Sequence, residues 1–361
     1  MSKRPSLVHQ AMKVLEQGAA FGQKRHADKE NAKNKGLQYD SYTKSKMYSY
    51  NTFEHTKDTT MSYIRFCKEE FGCRYLEEIK PEYFSKFIER GKVNGGAYEK
   101  DTAGTYRSRI QKFEEIYNKI SGDNKKFVDD TYKDHTIEKF QDRIRMDRQI
   151  HDRIIEKAYK NKADNGRALD IDRNLGLRAS EGANLRMQDF KFDKEGDLDS
   201  IHIHKSKGGR NRDIAVREIE NDMKPKWSIN TNKGLTKEQY ERVYNIYNYY
   251  KRQGLRPEDK LFPNKKESYE KAFNRYREKV LDEMRKDRDK YNDIDLDKDY
   301  NGCGIHSMRK EFAQDYYDRE TERRIDERGQ DHLKEIEKEV KQELTEILGH
   351  NRIEVLNSYL D

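Results

Sequence analysis

Apolar residues recur along this chain at helical spacing far more often than at strand spacing. Leu7, Val8, Ala11, Met12 and Leu15 line one side of a short amphipathic helix over 7–17. Residues 22–37 are polar and read as a linker. A second helix spans 48–71, with Phe53, Tyr63, Ile64 and Phe66 on its pattern and Gly72 as its C-cap. Pro81 opens a third, which carries Phe84, Phe87 and Ile88 as far as Gly91. A fourth covers 102–120 and buries Tyr106, Ile110, Phe113, Ile116 and Tyr117. Residues 121–134 are polar and contain Gly122, which predicts a linker. Helices resume at 137–159, 167–175, 237–251 and 269–286. Between them the period drops to two: 198–204 alternates apolar and polar, 212–216 is a second strand, and Gly208-Gly209 lies in the turn. The stretch 286–300 reads as a charged loop. A further helix starts at His306 and continues its core face through Phe312 and Tyr316. Residues 318–343 hold seven basic and ten acidic side chains with opposite charges three and four apart, which predicts an exposed helix. The pattern is that of a mainly α chain with a small β-sheet (α+β).

Charged residues make up 40% of the 361 positions and hydrophobic ones 33%, values that approach the disordered range. The sustained periodicity excludes disorder for most of the chain. Net charge is +7, and residues 1–50 alone contribute ten basic against four acidic side chains. That placement suits a basic N-terminal arm on phosphates. Three cysteines, Cys67, Cys73 and Cys303, fit a reducing compartment and have no zinc spacing. No apolar run reaches the roughly 18 residues that span a bilayer. The expected protein is cytoplasmic, associated with the nucleoid, and has no membrane partner. His202 and His204 share one strand face, but with no third ligand nearby they read as solvated or DNA-facing. Asp170 and Asp172 read as solvated or capping.

The chemistry gathers in four places. Gly176-Leu177-Arg178-Ala179-Ser180-Glu181 sets an arginine at a turn entering a helix, with Glu181 one turn on to hold its neighbours. Lys205-Ser206-Lys207-Gly208-Gly209-Arg210 and Arg212 make the hairpin basic. Of ten histidines, only His306 has an arginine, Arg309, three residues later. Leu348-Gly349-His350 is followed nine positions after the histidine by Tyr359. These four pieces, in this order over 169–359, resemble the tyrosine recombinase (phage integrase) family. The long charged stretch 318–343 and Lys310, where the family often has another histidine, depart from its pattern.

The resemblance implies a basic N-terminal arm and linker (1–40) and a helical core-binding domain (41–121) that clamps DNA opposite the catalytic domain. A linker (122–134) and the catalytic domain (135–361) would follow. Arg107, Arg109 and Lys112 would contact phosphates from the core-binding domain, and Lys205, Arg210 and Arg212 from the hairpin. Tyr359 would attack the scissile phosphate to give a 3′-phosphotyrosyl bond. Arg178 and Arg309 would grip its oxygens, and Lys207, with Lys205 as runner-up, would protonate the leaving 5′-oxygen. His306 would help take the tyrosine proton and His350 would hydrogen-bond the phosphate. Neither metal nor cofactor is implied. The partners would be double-stranded DNA and further copies of the chain, assembling as a tetramer on DNA. The function implied is integration or excision of a mobile element. A type IB topoisomerase uses the same kind of residues, and a DNA-binding protein that has lost catalysis could keep the same shell. The helical domain and the Leu-Gly-His spacing favour the recombinase.

Overall fold

The computed structural model describes residues 5–37, 43–93, 98–136, 145–206, 210–215, 235–350 and 352–360. Its contacts divide the chain into two compact units, Met1–Gln141 and Asp142–Asp361.

The first unit is helical: α1 (Leu7–Gln17), α2 (Arg25–Asn34), α3 (Tyr50–Phe71), α4 (Glu82–Val93) and α5 (Lys100–Ser121). Ser6 and Ser49 start α1 and α3 by accepting hydrogen bonds from the His9 and Thr52 amides, which satisfies donors a helix start leaves open. Gly72 ends α3 at φ 69°, a left-handed conformation that suits glycine. Leu7, Ala11 and Leu15 of α1 join the same core as Ile64, Phe84 and Phe113. The helix expected at 7–17 thus packs into this core, and the polar stretch after it, expected as a linker, forms α2, which buries Ala32. The linker expected at 122–134 is also packed. Phe127 and Tyr132 lie in the core, Tyr63 Oη donates to the Phe127 carbonyl at 2.9 Å, and Glu114 accepts from the Phe127 amide at 2.7 Å. Single aromatic residues among lysines and aspartates carried too little periodicity to be recognised as core.

The second unit holds α6 (Arg148–Asn161), α7 (Ala163–Asn174) and the one-turn α8 (Ala179–Gly182). An antiparallel sheet of order β1-β2-β3 follows, from Phe190–Phe192, Leu198–Ser206 and Arg210–Ala215. Then come α9 (Lys237–Arg252), α10 (Lys266–Lys286), α11 (His306–Arg328) and α12 (Leu333–Ile347). The sequence pattern did not predict β1, because three residues are too few to show a period of two.

Helix α7 is buried on all sides, polar residues included. Asp170 and Asp172, expected to be solvated or capping, are each only 4% exposed. Buried polar groups need partners. Asp170 accepts from Tyr159 Oη at 3.0 Å and Asn174 Nδ2 at 2.9 Å, and Arg242 lies 3.4 Å away. Residues 286–300, expected as a charged loop, bury Tyr291, Ile294, Leu296 and Tyr300 against Ile150 and Phe273. The helix expected over 318–343 is two helices: α11 stops at Gly329, where φ is 92°, and α12 packs back on it. Arg324, 5% exposed, bridges the pair through Glu339 at 3.0 Å and Glu343 at 2.6 Å. Of the charges in 318–343 that looked solvated, Glu320 and Arg324 are buried, while Glu322, Asp326 and Glu327 are exposed as expected.

Candidate active site

Two glycine turns and the first turn of α11 build the site. After α7 the chain turns at Gly176, whose φ is 58° and whose Cα sits against the Phe312 ring. A side chain there would need both a strained backbone and room that Phe312 occupies. The turn delivers Arg178 to the start of α8. After α12 a second turn at Gly349, φ 64°, carries the chain to His350, whose amide donates to the Thr345 carbonyl at 2.8 Å. Arg309, in the first turn of α11, is 0% exposed. Its guanidinium donates to the Gly176 and Leu348 carbonyls, so one side chain ties both turns together. Its Nη2 lies 3.4 Å from His350 Nε2.

Glu181 organises the cations. Its carboxylate accepts from Arg178 Nη1 at 2.7 Å and from the Arg178 amide at 3.0 Å. It also takes both terminal nitrogens of Arg212 at 2.9 Å, and Arg309 Nη1 is 3.7 Å away. Burial first, and then the neighbouring Arg178, pull the Arg309 pKa down to about 10, so it stays protonated at neutral pH. Burial, and then the nearby Glu181 carboxylate, raise the Asp172 pKa well above its ordinary value. Three guanidiniums, those of Arg178, Arg212 and Arg309, gather around the Glu181 carboxylate, a grouping of donors suited to a phosphate.

Tyr359 closes the cluster. It follows a short 3-10 turn, Ile353–Ser358, and is 8% exposed. Its ring centroid is 5.2 Å from that of His306 and 5.2 Å from that of His350, and the Arg309 guanidinium carbon lies 5.8 Å from it. Nine residues of one continuous helix would have put His350 and Tyr359 on different faces. The Gly349 turn and the tight turn after it bring them back together. Arg178, His306, Arg309, His350 and Tyr359, spread over 182 positions of sequence, thus share one pocket with Glu181.

The other expected site residues divide. Arg212, read as a DNA contact, is 4% exposed and committed to Glu181. Strand alternation explains this: Arg212 shares the inward face of β3 with buried Ile214 and pairs across the sheet with buried Ile203. That parity was the missed signal. Lys207 and the side chains of Lys205 and Arg210 lie outside the described residues. On α5, Arg107 turns to Asp130 at 2.7 Å and to Gln111 at 3.0 Å. Arg109 and Lys112 line a different groove of the first unit, with Thr52, Thr56 and Ser108. Arg109 donates to Thr59 at 3.0 Å. Burial lowers the Lys112 pKa, and the ammonium donates to the Lys44 carbonyl. His202 and His204 are held by Asp213 at 2.6 Å and Asp189 at 2.8 Å. Among the described residues no group of three or more His, Cys, Asp or Glu side chains could hold a metal ion, and no helix is long and apolar enough to cross a membrane.

No family model and no curated protein matches the chain. Solved structures do. The Tn1549 transposon integrase in complex with transposon right end DNA is 16% identical, with 98% of this chain and 95% of that one covered at a TM-score of 0.51. The XerH site-specific recombinase bound to palindromic difH substrate is 14% identical, with 98% and 91% covered at 0.56. The lambda integrase tetramer bound to a Holliday junction is 11% identical, with 100% and 78% covered at 0.52. At such identities the likeness is one of fold: a mainly helical chain with a small antiparallel sheet, shared with tyrosine recombinases.

Proposed function

We propose that this protein is a tyrosine-type site-specific DNA recombinase that cleaves and rejoins DNA through a covalent phosphotyrosine, and that it serves integration or excision of a mobile element. The observation that carries this reading is the meeting of Arg178, His306, Arg309, His350 and Tyr359 in one pocket. A tyrosine hydroxyl is a poor nucleophile unless cations stabilise the charge that develops on attack. Here the Arg309 guanidinium and two imidazoles lie against the tyrosine ring, with Arg178 joined to Arg309 through Glu181.

In the proposed reaction Tyr359 Oη attacks the scissile phosphorus. Arg178 and Arg309 stabilise the non-bridging oxygens of the transition state, with Glu181 and Arg212 fixing the orientation of Arg178. His306 accepts the phenolic proton and His350 hydrogen-bonds a phosphate oxygen. The P–O5′ bond breaks, a 3′-phosphotyrosyl bond forms, and Lys207 supplies the proton that leaves with the 5′-hydroxyl. Attack by a 5′-hydroxyl of another strand reverses these steps and reseals the DNA. General acid–base help of this kind is typically worth about 10²–10⁴-fold for each group. That solved neighbours of the same fold hold DNA, one of them as a tetramer on a Holliday junction, supports DNA as the partner and assembly of copies on it. The site of action would be the cytoplasm, on the nucleoid.

The test uses supercoiled plasmids bearing one or two candidate sites, with trapping of protein–DNA adducts in denaturant. Exchange between sites together with an adduct supports the recombinase. Relaxation without exchange would instead make the chain a topoisomerase of the IB kind. Binding without nicking would make it a DNA-binding protein without catalysis.

A further inference from the structure

A second polar cluster lies behind the site and shares no residue with the catalytic set. His151 of α6 is 0% exposed. Its Nε2 is 2.8 Å from Ser307 Oγ, and its Nδ1 contacts Glu311 Oε2. Glu311, 1% exposed, takes Arg173 Nη2 of α7 on its other oxygen at 2.8 Å. Arg173 Nη1 pairs with Asp152, one residue after His151. Ser307 adjoins His306 and lies two residues before Arg309, and Glu311 lies two residues after it. Desolvation by itself would raise the Glu311 pKa; the His151 and Arg173 contacts outweigh it and hold the carboxyl down at about 2.

The connectivity Glu311–His151–Ser307 is that of a carboxylate–base–nucleophile triad. A fully sealed imidazole cannot pass a proton to a substrate, so the arrangement does something else. The first turn of a helix has amides without intrahelical partners and frays easily. In α11 that turn carries two of the groups that meet Tyr359. The bonds to Ser307 and Glu311 hold it from behind, on both sides of Arg309. The Ser307 bond survives either protonation state of the imidazole, because Nε2 accepts from the hydroxyl when neutral and donates to it when charged.

We propose that His151 is a positioning residue: by holding Ser307 and Glu311 it locks the first turn of α11, so that His306 and Arg309 stay converged on Tyr359. The catalytic part of this inference rests on Tyr359 being the nucleophile. A misplacement of about 1 Å at a reacting group can cost about 100-fold in rate.

Three variants separate positioning from folding. Ser307→Ala deletes the hydroxyl alone. His151→Asn keeps a donor near the Nδ1 position for Glu311 but no longer reaches Ser307. Ser307→Thr restores the hydroxyl. In single-turnover adduct formation, Ser307→Ala and His151→Asn should each slow cleavage about 10- to 100-fold with DNA affinity unchanged. The double variant should be no slower than the slower single, since both cut one bond, and Ser307→Thr should recover most of the rate. Hydrogen exchange on the DNA-free protein gives a second, independent reading. Amides 306–310 should exchange faster in both single variants, while those near Arg324 do not change. Additive rate losses, a parallel loss of affinity, or unchanged exchange at 306–310 would each overturn the proposal. A wild-type protein that forms no adduct would overturn the recombinase reading alone, because the exchange result still decides whether His151 locks the turn.

Discussion

The two units place charge differently. Among the described residues, Glu114 is the one Asp, Glu, Lys or Arg of the first unit buried below a tenth of its surface, whereas eleven are so buried in the second, from Asp170 to Arg324. The first unit is held by aromatic packing, such as the edge-on contacts of Phe127 with Phe113 and Tyr117 at 5.2 and 5.3 Å. Its basic residues are at least partly exposed among those described, and an ion pair in such a place contributes little. The second unit threads carboxylates and guanidiniums through its core. Buried ion pairs are weak sources of stability, since desolvation offsets most of the attraction. Their gain is orientation: a group bonded on every side is already where a reaction needs it. The contrast separates a unit built to hold a shape from one built to hold charges in place.

The sharpest way to break the comparison is at the nucleophile. Tyr359→Phe should abolish the covalent protein–DNA adduct and leave DNA affinity nearly unchanged, read by denaturing gel and by equilibrium binding. A surviving adduct would remove Tyr359 from the mechanism.

Next come the two arginines, which share a pocket but not a degree of burial. Arg309→Ala would strand the Gly176 and Leu348 carbonyls and should cost about 3–5 kcal/mol in urea unfolding, besides ending cleavage. The Arg178 side chain is 16% exposed, and Arg212 holds Glu181 without it. Arg178→Ala should therefore cost little stability while slowing adduct formation by about 10²–10³-fold. Equal stability losses would contradict the division of labour drawn here. Arg309→Lys keeps the charge but cannot bridge two carbonyls as a planar fork does, and should rescue neither property fully.

A core substitution in the first unit should show the opposite behaviour. Phe113→Ala is expected to cost about 3–5 kcal/mol, measured by the urea midpoint. The rate of adduct formation by the fraction already on DNA should stay unchanged.

The buried charges of the second unit also predict its acid limit. Glu311 is held at about 2 in the folded chain against an ordinary 4.5. A depressed carboxylate adds stability above the unfolded value and loses it as pH falls through the folded one. Stability of the second unit should thus decline between about pH 4.5 and 2. Glu311→Gln should flatten that limb; Asp315 and Asp170, whose pKa values burial raises, act in the opposite sense, since they bind protons more readily folded than unfolded. An unaltered acid limb would show that the pairing with His151 and Arg173 does not carry the charge.

The smallest effect belongs to the rim. Arg109→Ala should weaken DNA binding slightly and reduce the slope of log affinity against log salt by about 1, the signature of one lost phosphate contact.

Local pattern was enough for most helices of both units, though not for α2 or the break between α11 and α12, and for the β2–β3 hairpin, the Gly72 cap and the residues that meet at Tyr359. Each depends on spacing within a few turns or on short motifs whose residue types are already suited to phosphate. The sequence misled where a residue's surroundings come from distant parts of the chain. Phe127 and Tyr132 looked like linker because their packing partners lie in other helices. Asp170, Asp172 and Arg324 looked solvated because charge in a linear string says nothing of what covers it. Arg212 looked like a phosphate contact until the sheet turned it onto Glu181, and His151 carried no signal at all. Composition and periodicity determined which segments could form and which chemistry was available. Only the tertiary structure decided which charges lost their water, because desolvation depends on neighbours that no stretch of sequence contains.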